Sequence, residues 1–72
     1  MSKTLGQIAR AVRETRKRLG ITQKELALTS GTGLRFIIEL EKGKPTCQIE
    51  KVLTVLQTLG IQVKIVPPKG EK

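Results

Sequence analysis

In the stretch Thr22-Gln23-Lys24-Glu25-Leu26-Ala27-Leu28-Thr29-Ser30-Gly31-Thr32-Gly33-Leu34-Arg35-Phe36-Ile37-Ile38-Glu39-Leu40-Glu41, two apolar segments flank a breaker. Thr22 can cap the first segment while Glu25, three residues on, reaches back to the cap amide, which is the capping-box pattern. The helix so opened carries Leu26 and Ala27 inward and runs from Gln23 to about Thr29, because Ser30-Gly31-Thr32-Gly33 interrupts it. The following Leu34 to Glu41, rich in branched and aromatic side chains, could by itself equally be a strand. Helix is favoured by the three-residue spacing of Ile37 and Leu40, flanked by Glu39 and Glu41, and by Gly43 then Pro45, a common helix exit.

On the N-terminal side, Leu5, Ile8, Ala9, Val12 and Leu19 recur at helical spacing among Arg10, Arg13, Glu14, Lys17 and Arg18, and Gly20 ends the pattern. On the C-terminal side, Thr46 can cap a fourth helix in which Ile49, Val52, Leu53, Leu56 and Leu59 repeat, and Gly60 stops it. From Ile61 the period changes to two, with Ile61, Val63 and Ile65 on one face, until Pro67-Pro68 halts it. The expected fold is mainly α: four helices over residues 1–60, a short β-strand over 61–66 and a disordered tail over 67–72.

Seventy-two residues make one small domain, which buries roughly 60% of its unfolded surface and is marginal alone. A dimer is the natural supplement. Fourteen Lys and Arg against six Glu and no Asp give a net charge of +8, a balance that attracts polyanions. The absence of His and Asp excludes a Ser-His-Asp triad, a paired-Asp site and a His-bearing zinc site, so the chain is not expected to be an enzyme or to carry a metal or cofactor. A single cysteine, Cys47, permits no intramolecular disulfide and reads as a small apolar residue. No apolar run approaches a membrane span and the first residues lack a signal-peptide core, so a cytoplasmic protein is expected. With Phe36 the only aromatic, single-strand binding by base stacking has no platform.

Two short helices joined by a tight Gly-bearing turn form the DNA-binding helix-turn-helix unit, whose first helix braces the second in the major groove. That unit needs a small residue where the helices cross, a turn residue between them and branched apolar residues on the inner side of the second. Ala27, Gly31, Ile37 and Leu40 supply these in order. Through Arg16, Gly20-Ile21-Thr22-Gln23, Glu25-Leu26-Ala27, Gly31, Ile37, Leu40-Glu41 and Gly43, residues 8–60 resemble the Cro/C1-type (XRE) helix-turn-helix regulators. Leu34-Arg35-Phe36-Ile37, Gly43-Lys44-Pro45-Thr46 and the C-terminal strand are similar to HipB-type antitoxins.

The resemblance implies a dimeric repressor that binds a palindromic operator near its own promoter and partners a HipA-like kinase toxin. It implies a buried ion pair between Arg16 and Glu41, a phosphate contact at Gln23, and base reading from Gly33, Leu34, Arg35 and Glu39. Thr22 and Gln23 could equally be plain capping residues, since a helix N-terminus serves both ends. Arg35 suits bidentate pairing with guanine O6 and N7, with a phosphate contact as the alternative. Glu39 could accept from cytosine N4 or pair with Arg35. Lys42 and Lys44 follow the reading helix, where family loops run along the phosphate backbone. Leu34 could touch thymine methyls, whereas Phe36 and Ile38 stand where the family has polar residues, and both could be buried in the dimer or against a partner.

Ile61, Val63 and Ile65 need a strand partner, and the same strand of a second chain is the simplest one. The competing function is a protein-interaction module that binds a toxin or bridges transcription proteins through the apolar Leu34, Phe36 and Ile38.

Overall fold

The computed structural model describes residues 3–45 and 48–68. Four helices follow one another in these residues: α1 (Lys3–Leu19), α2 (Gln23–Ser30), α3 (Leu34–Glu41) and α4 (Ile49–Thr58). α3 packs on α2 and α1, and α4 closes against α2.

The limits of these helices follow from local chemistry. Thr22 takes an extended conformation, and both hydrogen bonds of the capping box form: the Thr22 hydroxyl accepts from the Glu25 amide at 3.0 Å, and the Glu25 carboxylate accepts from the Thr22 amide at 2.8 Å. At the far end of α2, Gly31 adopts a φ of +74°, a left-handed conformation that costs an L-residue about 1–2 kcal/mol. The Thr32 amide donates to the Ala27 carbonyl across this turn. α3 starts after Gly33, whose φ of −92° is ordinary. α4 begins with Gln48 at its N-cap, and Thr46, the expected cap, lies outside the described residues together with Cys47.

The core is built from one apolar side of each helix. Val12, Leu26, Ile37, Leu40 and Val55 are its fully buried large side chains, and Ala27, the small residue of α2, is buried with them. Periodicity misassigned some neighbours. Val55 is fully buried, whereas Ile49 on the first turn of α4 and Leu53 at the border of its packed side are exposed, and Leu19 ends α1 exposed. The apolar side of α4 is broader than the strip that packs, so spacing alone could not say which of its borders stays exposed.

No strand is present among the described residues, which corrects the strand expected over 61–66. The Ile61 amide donates to the Leu56 carbonyl at 2.8 Å and its side chain packs on the core. Beyond it Val63, Ile65 and Val66 are exposed, Ile65 to 90%. A strand exists only through a ladder partner, and the alternating pattern here has none among the described residues. Of the expected tail, Pro67 and Pro68 are exposed and outside any helix, and residues 69–72 lie outside the described residues.

Candidate nucleic-acid interface

A three-helix junction holds the reading unit together. Arg16, on the last turns of α1, meets Glu41 at the end of α3 in a two-pronged ion pair, Nε to Oε2 at 2.6 Å and Nη2 to Oε1 at 3.0 Å. Its remaining nitrogen, Nη1, donates to the Ile21 carbonyl at 3.0 Å, so the guanidinium also ties down the α1–α2 turn. The hydrogen bond to Glu41 raises the Arg16 pKa above its ordinary value; burial opposes this, and the Glu41 charge adds to the rise.

Gln23, the first residue of α2, donates its side-chain amide to Glu41 Oε1 at 3.1 Å. The Gln23 side chain is therefore engaged with the interior carboxylate, and the outward-facing donors of this corner are backbone amides. The Gln23 and Lys24 amides have no acceptor inside the helix, and the helix dipole adds to their pull on an anion. The Gln23–Glu41 bond was not foreseen in the sequence. Its only signal is that Glu41 carries more acceptor capacity than one Arg uses.

The turn between α2 and α3 is held by a second unforeseen contact. Buried Ser30 donates to the Leu26 carbonyl at 2.8 Å and shares a 2.9 Å hydroxyl–hydroxyl bond with Thr32. Ser in a helical last turn flanked by Gly reads in sequence as a breaker, which hides this role.

α3 buries Ile37, Leu40 and Glu41 and turns the opposite side outward. Arg35 stands furthest out, with 91% of its side chain exposed, and its Nε lies 3.7 Å from Glu39 Oε2, one helical turn on. Leu34 is exposed, Ile38 is half-buried, and Phe36 packs on the core with the Lys51 ammonium 5.8 Å from its ring centre. Gly33 caps the helix without a side chain. Lys42 and Lys44 leave the helix exposed, with the Lys44 amide bonded to the Glu39 carbonyl at 3.1 Å. The structure thus brings Leu34, Arg35, Glu39, Lys42 and Gly33 onto one outward side, with Lys44 just past its end. Ile61 lies with the core, and Val63 and Ile65 lie on the segment that follows it.

This surface offers fixed hydrogen-bonding groups and positive charge. Among the described residues no group of three or more His, Cys, Asp and Glu is placed to hold a metal, and no helix is long and apolar enough to cross a membrane. Residues 9–64 match the profile of a family described as a helix-turn-helix domain. The chain is 54% identical over 70 residues, 97% of its own length and 91% of the relative's, to the uncharacterised HTH-type transcriptional regulator y4mF of Sinorhizobium fredii. It is 42% identical over 53 residues to an uncharacterised HTH-type transcriptional regulator of Haemophilus influenzae, covering 74% of this chain and 54% of that relative.

Proposed function

The chain belongs to the helix-turn-helix domain family, and on that premise we propose that it is a sequence-specific DNA-binding transcriptional regulator, acting in the cytoplasm without chemistry of its own. The observation that carries this reading is the outward side of α3. Arg35 projects from a helix whose other side is locked into the core, and Lys42 and Lys44 follow where a phosphate backbone would run. In this reading Arg35 reads guanine, Leu34, Gly33 and Glu39 lie against neighbouring base pairs, and the α2 N-terminus, capped by Thr22, holds a phosphate through the Gln23 and Lys24 amides, the Thr22 amide being taken by Glu25.

The regulator acts as a homodimer on a palindromic operator. Exposed Val63, Ile65 and Val66 support this, because the segment after the core-packed Ile61 supplies an extended apolar edge that a second copy can pair with, setting two reading helices about one DNA turn apart. The further reading as the antitoxin of a HipA-like kinase, repressing its own operon, rests on the resemblance of Leu34 to Ile37 and Gly43 to Thr46 to such proteins. A kinase-like gene beside this one, and co-purification with its product, would test it.

The test of the main proposal is a fluorescence-anisotropy titration against the DNA upstream of the gene and a scrambled duplex, at two salt concentrations. Tight binding to the native duplex that resists competitor supports a regulator. Equal, salt-sensitive binding to both rejects it and favours the protein-interaction module, for which the exposed Leu34 is the supporting observation.

A further inference from the structure

The outward side of α3 is not uniformly polar. Leu34 and Ile38, four residues apart and so one above the other on the helix, form an apolar edge beside the Arg35–Glu39 row. The apolar residue on the other edge, Phe36, is accounted for: it packs on the core and its ring carries the Lys51 ammonium. Leu34 has no such explanation, being 43% exposed on the first turn next to side-chain-free Gly33. Leu34 stands next to Arg35 on the outward side of α3, on a chain of net charge +8, an arrangement that fits a partner offering anionic charge and small apolar groups together. The major groove does so, because thymine presents its C5-methyl there between two phosphate backbones.

Resting on the reading of α3 as the groove-binding helix, we infer that Leu34, supported by Ile38, selects thymine by its C5-methyl at the base pair next to the one read by Arg35. Successive side chains of a helix, at roughly 3.6 residues per turn, project about 100° apart. Leu34 and Arg35 therefore point at different base steps of a groove that α3 occupies. The expected preference is a thymine adjacent to a G·C pair, with the two residues contributing separately.

The experiment starts from duplexes that the full chain selects out of a random-sequence pool, so no operator need be known. In the selected duplex the thymines are replaced one at a time by uracil, which removes the methyl and keeps every hydrogen-bonding group. The replacement next to a G·C pair, at the equivalent thymine of either half-site, should weaken binding about four-fold, the equivalent of about 0.8 kcal/mol for one buried methyl. Leu34→Ala should bind thymine and uracil duplexes alike while keeping the preference for guanine, and Arg35→Ala should do the reverse. The uracil substitution alters no protein residue, so its result does not depend on a variant folding. If selection yields a consensus but every uracil duplex binds as well as its thymine parent, the inference is overturned and the apolar edge is left to a protein partner. If selection yields no consensus, the proposed function falls and this inference with it.

Discussion

Arg16 and Glu41, twenty-five residues apart in the chain, meet with both carboxylate oxygens on the guanidinium, and only 11% and 4% of their side chains reach solvent. Because Gln23 and the Ile21 carbonyl join the same cluster, one pair fixes the end of α1, the start of α2 and the end of α3.

Removing one partner should cost more than the pair itself is worth. Glu41→Ala leaves a largely buried guanidinium without its counter-charge and should destabilise the fold by about 3 kcal/mol. The double variant Arg16→Met with Glu41→Leu should lie much closer to the parent. Urea denaturation of the parent, Glu41→Ala, Arg16→Met, Glu41→Leu and the double variant measures both differences and closes the cycle, and an additive double variant would show that the two residues do not act as a pair. The pH dependence has a definite sign. A basic group whose folded pKa is raised contributes fully below its unfolded pKa and is lost only as pH climbs through the folded value. The Arg16 contribution should therefore stay constant from about pH 6 to about pH 9, since arginine titrates only in strong alkali.

Gly31 and Gly33 flank one residue yet should respond differently. At Gly31 a Cβ would meet nothing within 4 Å, so Gly31→Ala carries only the cost of the left-handed backbone, about 1–2 kcal/mol. Gly33→Ser keeps an ordinary φ and adds a capping oxygen, so it should raise stability by a few tenths of a kcal/mol, or roughly 0.3. Thermal melts of the two variants should move in opposite directions.

Arg35→Ala should relax preference at a single base pair by about 1–3 kcal/mol. Lys42→Ala and Lys44→Ala should instead weaken binding evenly across sequences and lower the salt slope by about one each. Competition binding at several salt concentrations separates the two behaviours. An Arg35→Ala protein with unchanged operator preference would remove Arg35 from the readers.

Truncation after Ile61 removes Val63, Ile65 and Val66 but keeps the Ile61 amide bond to Leu56 and its packing on the core. The shortened chain should remain folded, sediment as a monomer and bind its operator weakly. Persistence of the dimer would rule out pairing through residues 61–66.

Where local chemistry decides, the sequence was readable. Thr22 with Glu25 marked the start of α2, and Gly31, Gly20 and Gly43 marked helix exits that do carry a positive φ. Where a relationship decides, it was not. The 61–66 pattern has the alternation of a strand but no ladder among the described residues, and Ile49 and Leu53 share helical spacing with Val52 and Leu56 yet lie where no other helix covers them. At the candidate site, the outward position of Arg35 follows from the inward positions of Ile37 and Leu40, because one helix period fixes both. The inward turn of Gln23 does not. It depends on Glu41, eighteen residues away, having an oxygen to share.

The eight residues of α3 divide their tasks by direction: Ile37, Leu40 and Glu41 belong to the folded scaffold, and Leu34, Arg35 and Glu39 project away from it. The outward set can therefore be rewritten while the scaffold stays as it is. Grafting the outward residues of another reading helix onto positions 34, 35 and 39 would transfer that helix's target preference to this chain without refolding it, so specificity here can diversify faster than architecture.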